Sequence, residues 1–220
     1  MAARKPAKKQ SVFQLKVTLR HVKPPVWRRL LVESDITLGE LHFVVNETMG
    51  WTCSHLHSFT VGKRTFGDPD LDPDSELKFQ DERPAKISTL VDVGGKFTYH
   101  YDFGDDWMHD IRVEKALAVD HRLTYPLCIG GARACPPEDC GGPIGYEHLL
   151  EVLAKKRDPQ HDDLLTWVGG YFDPEGFDAN RTNSSLSEMY QDCQCGHCDC
   201  DDCDCDDSDD CDCDPSASRH

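Results

Sequence analysis

Twelve cysteines are spread unevenly along this 220-residue chain, and eight of them fall between Cys193 and Cys213 in the run DCQCGHCDCDDCDCDDSDDCDCD. Cys193, Cys198 and Cys203 are each followed two residues later by another cysteine, at Cys195, Cys200 and Cys205, and Cys211-x-Cys213 closes the series. A Cys-x-Cys pair can chelate one soft ion, so four pairs have thiolates for about two zinc ions with four sulfurs each. His197 is an extra candidate ligand, and the interleaved aspartates raise the local cation concentration while keeping the metal-free tail extended. A second soft-ligand group stands in PLCIGGARACPPEDCGG, where Cys128, Cys135 and Cys140 follow the spacing C-x6-C-x4-C. So Gly- and Pro-rich a loop has little apolar content to organise it, and a zinc ion would supply that organisation. A fourth ligand is not evident; His55, His57, His100, His109, Asp139 or a water are the candidates. Buried structural thiols are the competing reading of the three cysteines.

A third constellation is harder in character. His55 and His57 stand in SHLHSF, and Asp102 and His109 in YHYDFGDDWMHDI. Imidazoles and carboxylates meeting on one surface are the material of a metal or general acid–base site. Against it, His-x-His is common polar surface, and Asp-Asp after Gly is ordinary turn chemistry. The Asp-Phe-Gly at 102–104 has neither a Gly-rich phosphate loop nor a His-Arg-Asp catalytic loop beside it, so a kinase is excluded. Gly-x-Ser-x-Gly, Walker and dinucleotide fingerprints and His-Glu-x-x-His are absent as well.

The elements that must position these groups are readable in outline. Phe13, Leu15, Val17 and Leu19 alternate as a half-buried strand, Pro24 and Pro25 turn the chain, and Trp27 to Val32 forms a second strand. Thr37 and Glu40 make a capping box for a helix carrying Leu38, Leu41, Val45 and Met49, closed by Gly50. HSFTVGKRTFG then gives two short strands around Gly62, completing a ββαββ unit. Residues 67–86 read as a polar surface loop. Phe97 to Phe103 and Trp107 to Val113 form a β-hairpin around Gly104, its register unset by the sequence. Helical spacing at Tyr146, Leu149, Leu150 and Leu153, and at Leu164, Leu165 and Val168, adds two helices over the sheet, the second stopped by Gly169 and Gly170. The expected fold is α+β: a small mixed β-sheet, built of the ββαββ unit plus the hairpin, covered by helices. It occupies residues 11–180, between a basic disordered lead-in at 1–10 and an acidic, disordered Cys-rich tail at 181–220.

Composition narrows the partners. The formal net charge is −16, and eleven aspartates lie in the tail alone. Such a balance disfavours nucleic-acid binding through a broad basic face, although a local patch can survive the average. No window approaches the eighteen or so apolar residues of a membrane span, and MAARKPAKKQ lacks the apolar segment of a secretory signal. A cytoplasmic protein is therefore expected, and in that reducing compartment close cysteines favour metal or redox chemistry over disulfides.

Five motifs in order resemble the plasmid pRiA4b ORF-3-like family over about residues 12–178: FQLKVTLRHVKPPVWRRLLV, ITLGELHFVVNETMGWTCSHLHSF, YHYDFGDDWMHDIRVE, ACPPEDCGGPIGYEHLLEVL and FDPEGFD. The resemblance implies an α+β domain of plasmid and mobile-element contexts, including insertion-sequence passenger proteins, with no biochemical activity to transfer. A resolvase-like label given to some members finds no serine-recombinase pattern here. Cys53, where such proteins more usually carry a polar residue, and the Cys/Asp tail depart from the family pattern. Some relatives carry other cysteine-rich, metal-binding appendages. The leading expectation is a non-catalytic metal-binding protein holding zinc through Cys128, Cys135 and Cys140 and through the tail. The alternatives are a metal-assisted hydrolase or nuclease using His55, His57, Asp102 and His109, and a mobile-element adaptor docking an unknown protein partner through exposed Trp51, Trp107 or Phe103.

Overall fold

A computed structural model describes residues 11–70 and 79–194, without the side chains of 190–194. The lead-in at 1–10 and Cys195 to Cys213 of the metal-tail expectation therefore lie outside the described residues, as does the side chain of Cys193. The elements run β1 (Ser11–Leu19), β2 (Trp27–Glu33), α1 (Leu38–Met49), β3 (His57–Val61), β4 (Arg64–Gly67), β5 (Gln80–Asp81), α2 (Ile87–Leu90), β6 (Lys96–Tyr101), β7 (Trp107–Ala118), β8 (Leu127–Ala132), α3 (Gly142–Leu153), α4 (His161–Trp167) and α5 (Ala179–Gln194). The class is α+β, as expected. One eight-stranded sheet has the order β5-β4-β3-β6-β7-β1-β2-β8, antiparallel except for β4 beside β5.

The two strand pairs expected around α1 do form, but they are not neighbours. The β6–β7 hairpin inserts between them, pairing β6 with β3 and β7 with β1. Phe97, Tyr99 and Tyr101 on one strand and Trp107, His109, Ile111 and Val113 on the other are all buried, so the hairpin presents a continuous buried face at the centre of the sheet. Within residues 67–86, expected as surface loop, β5 forms a short edge and Glu82 is buried. Among the three cysteines assigned to one loop, Cys128 instead sits in β8, paired with Leu30.

Helix α1 begins as the sequence specifies. Thr37 Oγ1 accepts from the Glu40 amide at 3.2 Å, the Glu40 carboxylate accepts from the Thr37 amide at 2.7 Å, and Gly50 takes a left-handed conformation at φ 83°. Replacing Thr37 by Ala removes the acceptor of the Glu40 amide and lowers stability by about 1 kcal/mol. In thermal unfolding this appears as a loss of about 2–4 °C.

The inward stripe of α1 is not purely apolar. His42 and Asn46 lie one turn apart among Leu38, Leu41, Val45 and Met49, all buried. His42 Nδ1 is 2.7 Å from the Tyr99 hydroxyl, which also accepts from Asn46 Nδ2 at 2.6 Å. The His42 ring stacks on His57 with centroids 3.5 Å apart, and His57 Nε2 lies 2.9 Å from Glu82 Oε1. Trp51 and Trp107, expected as exposed docking side chains, are 4 % and 0 % exposed and belong to this core.

Candidate functional site

Three loops meet at one end of β6. The first, residues 50–56, links α1 to β3; the second, residues 102–106, turns the hairpin; the third, residues 133–141, joins β8 to α3. The third is fastened to the first through Trp51, whose indole donates to the Pro136 carbonyl at 2.9 Å. Glu138 ties all of it together, accepting from the Tyr101 hydroxyl at 2.6 Å and from the Thr52 amide and hydroxyl at 3.0 and 2.8 Å. The same loop closes on the hairpin turn: the Gly141 amide donates to Asp105 at 3.2 Å, and a Cβ at Gly142 would lie 2.3 Å from the Asp105 carbonyl. With φ at 69°, Gly142 is the residue that permits this approach.

His55, Asp102 and Asp139 converge at this junction, their ligand atoms all within 4.8 Å of one another. His55 Nδ1 is 3.8 Å from Asp102 Oδ2 and His55 Nε2 is 3.5 Å from Asp139 Oδ1. Asp102 is held before any ligand arrives, because its Oδ1 accepts from the Gly104 and Asp105 amides at 2.9 and 3.2 Å. Its second oxygen is left for the imidazole. Cys53, Asp102 and Asp139 all adopt left-handed backbone, with φ of 59°, 54° and 58°. Aspartate tolerates that region better than most residues. A β-carbon thiol there is less usual, and such geometry persists only where surrounding contacts over-determine it.

The structure splits the expected His/Asp cluster. His55 and Asp102 come together at the surface, whereas His57 and His109 point into the core. The register that the sequence left unset places His109 opposite Tyr99, its ring against Trp51 and Tyr99 with both centroids 5.4 Å away. His57 is occupied by Glu82. Asp139, a candidate fourth ligand for the cysteines, joins His55 and Asp102 instead. The sequence flagged neither Glu138 nor Glu82; PPEDC displayed the first as one more loop acid.

Among the described residues, His55, Asp102 and Asp139 are the only set of three or more His, Cys, Asp and Glu side chains at ligand spacing. The sulfurs of Cys128, Cys135 and Cys140 are therefore not gathered as one ion requires. Strand pairing fixes Cys128 in β8, with its sulfur 3.6 Å from the Gly130 carbonyl, while Cys140 turns toward the Gly142 carbonyl at 4.0 Å. Burial raises all three thiols above the ordinary range, Cys140 to about 12 and Cys135 further still. Cys53 is likewise pushed up to about 11, by burial first and then by Glu47 and Glu138. Without a metal ion beside them, thiols so raised stay protonated at neutral pH and are poor nucleophiles.

Residues 11–181 match the family described as plasmid pRiA4b ORF-3-like protein. An uncharacterised protein, y4hQ, of Sinorhizobium fredii is 38 % identical over 181 residues, covering 81 % of this chain and 92 % of its own length. The crystal structure of a protein of unknown function, MM3350, from Methanosarcina mazei Go1 superposes with a TM-score of 0.72 at 35 % identity, over 79 % of this chain and 97 % of the other. No described helix is long and apolar enough to cross a membrane.

Proposed function

The chain belongs to the plasmid pRiA4b ORF-3-like protein family, and from its own residues we propose that it is a metal-binding protein whose folded domain holds a divalent cation at His55, Asp102 and Asp139. The observation that carries this reading is the convergence of one imidazole and two carboxylates from three separate loops. Two donors about 2.1 Å from one cation lie roughly 3–3.5 Å apart in tetrahedral or octahedral geometry, so small side-chain movements close the set. One nitrogen and two oxygens suit zinc, manganese or iron better than a thiophilic ion. The tail cysteines, from Cys193 to Cys213, form a separate soft-metal store in this reading, and Cys128, Cys135 and Cys140 are structural thiols.

Manganese separates the two stores because it favours oxygen and nitrogen over sulfur. Titration calorimetry of the full chain under reducing conditions is expected to show one manganese bound, and H55A or D102N to weaken that binding by at least about tenfold. Zinc uptake by the tail thiols persists in both variants. Absence of manganese binding, or binding indifferent to both substitutions, overturns the site.

A second reading rests on one contact. Asp102, fixed by two backbone amides, stands 3.8 Å from Nδ1 of His55 while the exposed Asp139 stands 3.5 Å from Nε2, and closure of the first contact would orient the imidazole as a general base. Three protein ligands also leave a coordination position for water, whose acidity a bound cation increases. Manganese-dependent cleavage of an activated phosphodiester that disappears in H55A would support hydrolysis; equal rates in H55A would remove it.

A further inference from the structure

The face of the sheet turned away from α1 carries a charge pattern that the acidic average of the chain conceals. Strand pairing sets Lys16 opposite Arg29 on one side and Arg112 on the other, and sets Arg112 opposite Lys96. Four cations therefore stand in a single row across the adjacent strands β2, β1, β7 and β6, a span of roughly 14 Å at the usual strand spacing. Like charges directly opposite one another destabilise a strand pair, and here the arrangement occurs three times in succession. Lys115, across from Gln14, adds a cation just outside the row.

Two carboxylates on this face are already engaged. Glu114 is taken by Arg29 at 2.8 Å and Asp110 by Arg20. Among the described residues no carboxylate lies within ion-pair distance of Lys16, Lys96, Arg112 or Lys115. These four line a groove of about 800 Å³, in which five cations face two acids. Remote negative charge does not cancel them, because screening at ordinary salt acts over about 10 Å.

We propose that this groove binds the phosphodiester backbone of a nucleic-acid strand. A straight row of mutually repelling cations is relieved by a line of regularly spaced anions, and a phosphate backbone offers that line at fixed spacing. Thr18 and Thr98 border the row with hydroxyls suited to phosphate oxygens. The aromatic residue of the face, Trp27, has Lys16 and Arg29 over its ring at 5.1 Å each, so its ring is already engaged by cations. The groove accordingly reads charge and not sequence. It begins at Lys96, the opposite end of β6 from Asp102, and the proposal is independent of the metal site.

Fluorescence anisotropy of the full chain with a labelled single-stranded 20-mer tests it. Four contacts predict a slope of about −3 in log affinity against log salt, so a fourfold rise in salt weakens binding about 50-fold. K96Q/R112Q is expected to halve that slope and weaken low-salt binding at least about tenfold, and the independent pair K16Q/K115Q to do the same. Because each pair removes repulsion, neither is expected to lower the melting temperature. Oligonucleotides of different sequence should bind alike. No binding at low salt, or binding unchanged in both variants, overturns the proposal, and so does tighter capture of a poly-aspartate probe, which would identify an acidic protein as the occupant.

Discussion

Replacing Arg28 by methionine lowers the stability of the domain by about 3–4 kcal/mol, a fall of roughly 10 °C in melting temperature. Arg28 is 4 % exposed, and among the described residues it has no carboxylate within ion-pair distance; it donates to backbone carbonyls. Its Nε reaches the Thr48 carbonyl in the last turn of α1 at 2.9 Å, and one terminal nitrogen reaches Trp27 and Ala132 carbonyls at 2.9 and 3.1 Å. One guanidinium thus joins the end of α1 to β2 and β8, and its plane lies 4.5 Å from the Phe177 ring. Methionine fills the channel and strands three acceptors, each of which costs about 1 kcal/mol or more when buried unpaired. Burial lowers the Arg28 pKa from its usual value, but an arginine remains charged at neutral pH. Lysine restores the charge without the fork, so R28K is expected to recover less than half of the loss. Chemical denaturation of the three proteins measures this, and equal stability of R28M and wild type would show that the carbonyls find other partners.

Arg28 also marks where sequence reading stops. In WRRLLV it is one of two adjacent arginines, and alternation alone says only that the pair points to opposite faces. Which one turns inward depends on two carbonyls brought from 20 and 104 residues away, and no local pattern encodes that. The capped helix α1, the hairpin and most strands were legible because their determinants lie within a few residues of one another. Strand order was not, because the central place of the hairpin follows from comparing the apolar faces of all strands together. The same limit applies at the candidate site. His55 and Asp102 stood out as residue types, but their separation from His57 and His109 depends on the pleat and on a register that sets Tyr99 opposite His109. Asp139 arrives from a third loop, held by Glu138 and by the glycine at 142, and its sequence neighbours pointed toward the cysteines.

Acidification is expected to unfold the domain through two histidines of the core. Burial holds His42 and His109 each down to about 3, His57 adding to the effect on His42. In the unfolded chain both titrate near the ordinary value of about 6.5. Between those two values the unfolded state binds more protons than the folded one, so stability is complete above about pH 6.5 and declines as pH falls through the window. Each histidine contributes about 1.4 kcal/mol per pH unit, and the pair about 2.7. Two units of acidification consume roughly 5 kcal/mol, comparable with the whole stability of an ordinary domain. The two residues differ in what else they do. His42 holds the Tyr99 hydroxyl, so H42L also destabilises at neutral pH by about 1–3 kcal/mol. His109 is fully buried and makes no well-formed hydrogen bond among the described residues, although the Tyr99 and Trp107 backbone partly offsets the effect of burial. Leucine at that position removes two poorly satisfied ring nitrogens, loses no well-formed hydrogen bond and roughly conserves volume, so H109L should match wild-type stability at pH 7. Its dependence on pH should fall to about half the wild-type slope between pH 6 and 4. Urea denaturation across that range resolves the two slopes; identical slopes would mean that His109 takes up its proton without unfolding and that the core opens around it.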